Sequence, residues 1–251
     1  MKFSFIGFGN LGQAFAQALL SSNSTSSKDI FIYDSSPEVH AIAGANPFNV
    51  NIVNDINEVI SCGDVIVLML KGYVFQELAP EINRLLLSGK TVISCMAGES
   101  FGSIEALIGP TNLVRAMPTL AIALLEGVIG YTKAPPELVQ IFDKFGYARE
   151  TTPENMDKFM AFAACGLGYA AYLIDTFAMA GEDMGFTPEE AAEIAGLTFK
   201  NAVDRKNFKA TANAVATPGG ATEQGINYLN EFDVYDIVAK AVLKGYERYT
   251  Q

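Results

Sequence analysis

The sequence predicts an α/β protein in two parts, a doubly wound sheet domain over residues 1–150 and an all-helical domain over residues 151–251. In the first part, short apolar runs rich in Val, Ile and Leu alternate with helical segments, which is typical of strands buried on both faces of a parallel sheet. After residue 147 this strand pattern stops and the periodicity becomes helical. Apolar residues make up 50% of the 251 residues, so each part can bury a core.

Six apolar runs of strand length account for the predicted sheet. None of them alternates between apolar and polar residues, which favours parallel pairing. The uncharged tract Ser21–Ser27 separates the first predicted helix, Gln13–Leu20, from the second strand and is interpreted as a solvated connector. The predicted strands are Phe3–Ile6, Ile30–Tyr33, Asp64–Leu70, Thr91–Cys95, Asn112–Met117 and Gly127–Tyr131.

The first predicted strand is followed directly by three glycines at G-x-G-x-x-G spacing, in Gly7-Phe8-Gly9-Asn10-Leu11-Gly12. At this spacing the first glycine allows a tight turn, the second lets the backbone approach a pyrophosphate, and the third lets the next helix pack closely on the sheet. The pyrophosphate then binds at the helix N-terminus. Because a strand precedes the glycines and a helix follows them, these six residues predict a Rossmann-type dinucleotide site. An ordinary glycine-rich turn is the alternative.

Asp34 ends the second predicted strand, where a ribose-binding acid belongs in such a site. A carboxylate accepts hydrogen bonds from the ribose hydroxyls and repels a 2′-phosphate, and no arginine follows in Ser35–Glu38. The sequence therefore predicts NADH or NADPH as the cofactor, with NADH favoured. Two alternatives stay open: Asp34 only caps the strand end, or Lys28 folds back onto a phosphate.

Charge and cysteine content narrow the function classes. A formal net charge of −11 argues against nucleic acid or an anionic membrane as a partner, since both need a basic surface. Cys62, Cys95 and Cys165 lie in apolar segments without metal-ligand spacing, which predicts reduced thiols, no metal site and a cytoplasmic location. No signal peptide is expected. The uncharged stretch Phe159–Ile174 is shorter than the roughly 20 residues of a membrane span, so a buried helix is expected there.

The second part shows two clear helix starts, at Thr152-Pro153-Glu154 and at Thr187-Pro188-Glu189-Glu190. In the second of these, threonine and glutamate stand three residues apart, which is the spacing of a capping box. The segment Ala161–Ala180 is rich in small residues and apolar on nearly all sides, more than a small helical domain can bury alone. We expect this helix to form a homodimer interface, with a helix buried inside one subunit as the alternative.

The segment Thr217-Pro218-Gly219-Gly220-Ala221-Thr222 lies between two predicted helices. Pro-Gly-Gly forces an irregular backbone, which on the simplest interpretation is a helix–helix turn. The other interpretation is an anion site, since glycines let successive N–H groups converge on a carboxylate.

Six motifs in this order resemble the pyrroline-5-carboxylate reductase family along the full length of the chain. The opening glycine segment is similar to that family's G-x-G-N-M start, and Thr217–Thr222 is similar to its S-P-G-G-[TA]-T loop. Four further matches lie between them. They are Leu70-Lys71-Gly72 for V-K-P, Ala97-Gly98-Glu99-Ser100 for A-G-x-S, Val114-Arg115-Ala116-Met117-Pro118 for V-R-x-M-P, and Glu126-Gly127 for E-G.

The resemblance implies a dinucleotide domain, a helical domain exchanged within an obligate homodimer that is sometimes assembled further, and an active site between them. The implied reaction is the NAD(P)H-dependent reduction of the C=N bond of 1-pyrroline-5-carboxylate to L-proline. Such a reduction needs alignment and one proton rather than a strong base, so a threonine hydroxyl or a water suffices. The single histidine, His40, is expected at the surface.

The resemblance also implies residue roles. Thr222 would be catalytic through a hydrogen bond to the ring nitrogen of the substrate, and the backbone at Gly220 and Ala221 would hold its carboxylate. A solvated loop lysine at Lys71 and a structural ion pair at Arg115 stay open as alternatives. The implied substrate-binding residues are Thr217, Gly219, Gly220, Ala221 and Thr222, and the implied cofactor-side residues are Lys71, Met117, Pro118 and Thr119.

Two segments depart from the family pattern near the expected substrate site. The family's M-P-N-T-P becomes Met117–Ala121, with Thr119 in place of asparagine, and its S-G-S-G-P-A-Y becomes Ala163–Tyr169, which loses two serine hydroxyls and a proline. A related reductase of another imine or carbonyl compound is therefore an alternative function, and a non-catalytic dinucleotide-binding protein is another. A second enzyme class with this architecture, the 3-hydroxyacid dehydrogenases, uses a catalytic lysine with an asparagine four residues later. In this chain Phe162 stands four residues after Lys158, so the sequence lacks that signature.

Overall fold

The computed structural model describes residues 1–250 and divides into two compact units. The first comprises Met1–Ala164 with the residues from Tyr246 onward, and the second comprises Cys165–Gly245. The sheet ends at Glu150, but the first unit continues because Met156 and Met160 pack with Met117 of the sheet in one cluster. The predicted boundary at residue 150 thus coincides with the end of the sheet and not with the end of the compact unit.

The first unit is built on an eight-stranded sheet with the order β3-β2-β1-β4-β5-β6-β7-β8. The strands from β3 across to β6 are parallel, β6 and β7 are antiparallel, and β7 and β8 are parallel. The order reverses beside β1, which is the switch point of a doubly wound sheet, so the predicted fold class is confirmed. The strands are β1 (Phe3–Ile6), β2 (Ile30–Tyr33), β3 (Asn51–Ile52), β4 (Val65–Leu68), β5 (Thr91–Ser94), β6 (Asn112–Pro118), β7 (Gly127–Tyr131) and β8 (Gly146–Glu150).

Helices pack on the sheet, and apolar cores lie on its two faces. Successive side chains of a strand point to opposite faces, so Phe5 and Val67 belong to one core while Ile6 and Leu68 belong to the other. The helices of this unit are α1 (Asn10–Ser21), α2 (Pro37–Ala43), α3 (Ile56–Cys62), α4 (Gly72–Leu78), α5 (Phe101–Ile108), α6 (Pro136–Asp143) and α7 (Pro153–Phe159), with short 3₁₀ turns at Ser27–Asp29, Ala79–Glu81, Arg84–Leu87 and Leu120–Leu124.

The sheet differs from the prediction at its edges. β7 runs antiparallel to β6 because Thr119–Glu126 is too short for the crossover of a dozen or so residues that parallel strands require. β3 has only two residues, both exposed, so it has no apolar run that sequence analysis could detect. β8 is the other edge strand and is mostly exposed. Its sequence, Gly-Tyr-Ala-Arg-Glu, contains no apolar run, so the strand pattern in the sequence ends before it.

The second unit is helical, as predicted. A π-helical segment, Met160–Ala164, precedes its first helix. The predicted capping box is present, since the Thr187 hydroxyl accepts from the Glu190 N–H while the Glu190 carboxylate accepts from the Thr187 N–H. The helices are α8 (Cys165–Asp183), α9 (Pro188–Asp204), α10 (Phe208–Val215), α11 (Ala221–Glu231) and α12 (Val234–Thr250), and the last of these crosses into the first unit at Tyr246.

Large apolar side chains remain exposed on the second unit. Its buried cluster consists of three alanines, Ala178, Ala191 and Ala195, whereas Tyr172 and Phe177 are among many apolar side chains that contact solvent. By length and composition alone, the helical stretch Pro153–Asp183 could cross a membrane, with a mean hydropathy of 1.3, and 11% of its apolar window is buried. The expectation of a buried helix therefore does not hold within a single copy of the chain.

Candidate functional site

The glycine-rich turn after β1 has the geometry of a phosphate-binding turn. Gly7 has a φ of 90°, and a Cβ placed there would lie 2.8 Å from the Met69 carbonyl oxygen, so only glycine fits. A Cβ at Gly12 would lie 3.0 Å from the Gly7 carbonyl oxygen, which shows how closely the helix approaches the turn. A Cβ at Gly9 would meet nothing within 4 Å, so the space in front of this residue is open.

The N-terminus of α1 is suited to an anion. Gly9 is the N-cap, and among the described residues no side chain caps the helix. The first N–H groups of a helix have no partner within it, so those that follow Gly9 can donate to a ligand. The first turn, which begins at Asn10 and Leu11, also contains no acidic residue that would repel a phosphate.

The predicted cofactor-side residues lie at the carboxyl-terminal ends of the parallel strands. Ile6 of β1 pairs with Leu68 of β4, and Leu68 pairs with Ser94 of β5, so these parallel strands end level with one another. Lys71 is the third residue after β4, and its side chain is exposed. In doubly wound sheets a dinucleotide binds outside the carboxyl ends of the strands at the switch point, which here lies between β1 and β4.

Asp34 links the glycine-rich turn to the segment after β2. One carboxylate oxygen accepts from the Phe8 N–H at 2.7 Å, and the other accepts from the Ser36 N–H at 2.9 Å. His40 is half-buried rather than at the surface, and its Nε2 lies 2.7 Å from the Asp34 carbonyl oxygen. Because a carbonyl oxygen can only accept, Nε2 is the donor wherever this contact is a hydrogen bond. Asp34 is thus held in place beside the predicted pyrophosphate site.

The end of β6 is buried rather than open. Met117, Pro118 and Thr119 are all buried, and Met117 belongs to the methionine cluster that α7 contributes to. The Thr119 hydroxyl accepts from the Val128 N–H at 3.0 Å, while its own N–H donates to the Val128 carbonyl at 2.8 Å. Thr119 therefore connects β6 to β7 through two hydrogen bonds to Val128. Its hydroxyl group accepts one of them, so its own proton can still be donated to another acceptor.

Arg115 forms a structural ion pair, the alternative that the sequence left open for this residue. Its guanidinium is 3.1 Å from the Asp157 carboxylate, which ties β6 to α7. Cys95 lies close enough to feel the Arg115 charge, but burial dominates and raises the pKa of the Cys95 thiol far above its usual value. Cys95 is therefore an unreactive thiol in the core and no candidate nucleophile.

The Pro-Gly-Gly segment of the second unit forms a shaped loop before α11. Gly219 has a φ of 75°, and a Cβ at Gly220 would lie 2.5 Å from the Thr217 hydroxyl oxygen, so both positions require glycine. The Gly220 N–H donates to the Thr217 carbonyl at 2.9 Å, and the Gly219 N–H donates to the Glu223 carboxylate at 2.7 Å. The backbone at Gly220 was expected to hold the substrate carboxylate and Gly219 to bind the substrate, but both N–H groups are engaged within the loop.

The donors left at this loop belong to the start of α11. Gly220 is its N-cap, again without a side-chain cap among the described residues, and Ala221 and Thr222 are its first two residues. Their N–H groups have no intrahelical partner and point along the helix axis toward the loop. Both residues are exposed, so this end of the helix is accessible to a small carboxylate.

Comparison with known proteins shows similarity to one enzyme family. Residues 153–251 match the family model described as pyrroline-5-carboxylate reductase dimerisation, and residues 2–98 match the model described as NADP oxidoreductase, coenzyme F420-dependent. The pyrroline-5-carboxylate reductase of Aquifex aeolicus is 28% identical over 244 residues, which cover 92% of this chain and 89% of that protein. The chain is similar to pyrroline-5-carboxylate reductases over about nine-tenths of its length, and its helical part matches that family's dimerisation model.

Solved pyrroline-5-carboxylate reductases share the fold of both units. The Plasmodium falciparum enzyme, solved with NADP bound, has a TM-score of 0.89 at 24% identity and covers 99% of this chain and 97% of its own. The Streptococcus pyogenes enzyme has a TM-score of 0.86 at 22% identity, with coverages of 99% and 98%.

Sequence analysis missed two acidic residues near the candidate sites. Glu223 is the third residue of α11, where a glutamate often reaches back to the N-cap region, so its spacing from the loop was a usable signal. Glu99 is buried in the β5–α5 connection with no pattern that reveals it. The departures at Ala163 and Cys165 fall where the π-helical segment meets α8, and burial raises the pKa of the Cys165 thiol.

Proposed function

We propose that this chain reduces the C=N bond of 1-pyrroline-5-carboxylate to form L-proline, with NADH or NADPH as hydride donor. The observation that carries the proposal is the similarity to named pyrroline-5-carboxylate reductases over more than nine-tenths of the chain, 92% and 93% for two of them. The glycine-rich turn lies within residues 2–98 and the Pro-Gly-Gly loop within residues 153–251, the two ranges that match family models. The reaction transfers a hydride to the imine carbon and a proton to the nitrogen.

The first unit binds the dinucleotide in this proposal. The pyrophosphate occupies the open space beside Gly9 and accepts from the N–H groups at the start of α1. The nicotinamide end lies toward the carboxyl ends of β4 to β6, along Lys71, Met117, Pro118 and Thr119. Lys71, which is exposed, supplies a positive charge for the phosphates or the substrate.

The Pro-Gly-Gly loop binds the substrate. The N–H groups of Ala221 and Thr222 hold the substrate carboxylate, and the Thr222 hydroxyl donates a hydrogen bond to the ring nitrogen. The proton that the nitrogen gains comes from this hydroxyl or from a water, and solvent replaces it. Thr217, Gly219 and Gly220 act indirectly, because their contacts with one another and with Glu223 give the loop its shape.

NADH is the preferred donor in this proposal. The ribose hydroxyls of the adenosine half bind at Asp34, whose carboxylate is fixed by two backbone N–H groups and still has lone pairs for a hydroxyl. A 2′-phosphate at the same place would meet this negative charge without a compensating arginine in Ser35–Glu38.

The working form is a homodimer. The helical unit buries only three alanines in its own cluster and leaves Tyr172, Phe177 and similar side chains exposed, which a second copy would cover. The match of residues 153–251 to a dimerisation family supports this assembly, and larger assemblies of dimers are compatible with it. We expect sedimentation equilibrium to give a dimer or a multiple of it. Monodisperse monomer at micromolar concentration would contradict the proposal, and Phe177→Glu should weaken association.

The proposed location is the cytoplasm rather than a membrane. Cys62, Cys95 and Cys165 are free thiols, as expected in a reducing compartment. The apolar helical stretch Pro153–Asp183 carries Asp175 in its second half, and a carboxylate within a bilayer costs several kcal/mol by most measures, about 3 on insertion scales. The same composition suits a subunit interface.

The test follows oxidation of NADH and of NADPH by absorbance with purified protein and 1-pyrroline-5-carboxylate. We expect turnover that falls at least about 100-fold in Thr222→Ala, because the donor at the reacting nitrogen is lost, and that is largely kept in Thr222→Ser. NADH binding should be equal in all three proteins. Turnover by Thr222→Ala at the wild-type rate would remove the catalytic role. Absence of turnover with this imine, but not with a carboxylate-free cyclic imine, would favour the alternative reductase function.

A further inference from the structure

Glu99 is a buried carboxylate that the proposed reaction does not use. It follows β5 and is 9% exposed. The Ser103 hydroxyl donates to its Oε2 at 2.7 Å, and the Gln76 side-chain amide donates to its Oε1 at 3.3 Å. Burial of a carboxylate is unfavourable unless hydrogen bonds compensate it, so these two donors fix where the carboxylate lies. Ser103 belongs to α5 and Gln76 to α4, so the carboxylate connects two helices.

The Glu99 carboxylate lies against Gly72, the first residue of α4. A Cβ at Gly72 would overlap the Oε1 atom and approach the Cδ atom to 3.1 Å. The φ of Gly72 lies outside the left-handed region, so its backbone would accept an alanine. The Glu99 side chain is thus the obstacle to a side chain at position 72.

The connection that ends at Gly72 also forms the support of the glycine-rich turn. Met69 and Leu70 lie between β4 and α4, and both contact the position where a Cβ of Gly7 would be, at 2.8 Å. A shift of this connection therefore displaces the turn that begins at Gly7. In the sheet, β4 lies between β1, which leads into the glycine-rich turn, and β5, which leads to Glu99.

We propose that Glu99 is a positioning residue for the dinucleotide: its carboxylate holds the Met69–Gly72 connection against α5, and this contact requires glycine at position 72. The inference rests on the proposed binding of a dinucleotide at this edge of the sheet. It adds a pair of residues, Glu99 and Gly72, that set the affinity for the dinucleotide without touching it.

The test is a double-mutant cycle with NADH binding, followed by fluorescence titration, as its readout. Gly72→Ala should weaken NADH binding about tenfold, and Glu99→Ala should weaken it severalfold. In the double variant Gly72→Ala/Glu99→Ala, the alanine at position 72 should weaken NADH binding by less than about twofold relative to Glu99→Ala alone. The carboxylate that obstructs a side chain at this position is then absent. Glu99→Gln should bind nearly as well as the wild type, since an amide oxygen still accepts from Ser103. Gly102→Ala is the matched control, because a Cβ there meets only the Ser100 hydroxyl, at 3.9 Å.

Kinetics separate positioning from a general loss of structure. We expect the KM for NADH to rise in step with its dissociation constant while kcat at saturating NADH stays within about twofold of the wild type. Equal effects of Gly72→Ala with and without Glu99 would overturn the proposal, as would wild-type NADH affinity in Glu99→Ala. If Gly72→Ala does not fold, the NADH affinities of Glu99→Ala and Glu99→Gln decide: the proposal requires weaker binding in Glu99→Ala than in Glu99→Gln, and equal affinities overturn it. Wild-type protein that fails to bind NADH would instead overturn the proposed function itself.

Discussion

The ion pair between Arg115 and Asp157 allows a quantitative prediction of stability. The Arg115 side chain is 4% exposed and the Asp157 side chain 26% exposed, with 3.1 Å between the charged atoms. At an effective dielectric constant of about 20, two unit charges at this distance attract by about 5 kcal/mol. Partial exposure of Asp157 and the desolvation of both groups reduce this attraction. Removal of Asp157, however, leaves the Arg115 charge buried without a partner. We expect Asp157→Leu to lower the free energy of unfolding by about 3 kcal/mol.

Urea unfolding at fixed protein concentration measures this loss, and a second pair in the chain provides the control. Lys200 and Asp204 are 3.4 Å apart, but their side chains are 71% and 62% exposed. Loss of such a pair changes stability by less than about 0.5 kcal/mol, so Asp204→Leu should leave the transition nearly unchanged. The double variant Arg115→Met/Asp157→Leu should regain much of the loss, because no buried charge remains. Equal shifts for Asp157→Leu and Asp204→Leu would refute the reasoning.

Two predictions concern the cofactor. Asp34→Ser should move the ratio of kcat/KM values toward NADPH by about tenfold, since it removes the charge that opposes a 2′-phosphate; an unchanged ratio in steady-state kinetics would mean that Asp34 only fastens the turn. Gly7→Ala should lower both the thermal midpoint and NADH affinity, because φ is 90° and a Cβ would strike Met69. Gly9→Ala should keep the thermal midpoint and lose NADH affinity, because the space beside it is open. Identical behaviour of the two variants in calorimetry would contradict this distinction.

The sequence was sufficient to predict those parts of the fold that depend on local pattern. β1, β2 and β7 have the predicted bounds, and the capping box at Thr187 is present, because apolar runs and caps are encoded in adjacent residues. The antiparallel pairing of β7 depends instead on the length of a connection, and β8 depends on partners across the sheet. Neither property is visible in the residues of the strand itself.

In the candidate site, too, some features were predictable from the sequence and others were not. The glycines were predictable, since their spacing reflects backbone geometry that few other residues can adopt. The partners of those glycines were not, because they come from distant parts of the chain: Met69 against Gly7, and Glu99 against Gly72. Which loop N–H groups are free also required coordinates, since Glu223 already accepts from Gly219. A sequence motif identifies positions where the backbone can approach a ligand, but only the structure shows which donors remain.

The two candidate anion sites explain how an acidic chain can bind anionic ligands. With a net charge of −11, the overall field opposes both a dinucleotide and a carboxylate substrate, so attraction must come from donors within a few ångströms. The first turn of α1 has no acid and faces open space at Gly9, which suits a pyrophosphate. The first turn of α11 contains Glu223, whose charge is directed at the Gly219 N–H. Under the proposed function, this negative charge disfavours a phosphate at the second site more than it disfavours a single carboxylate.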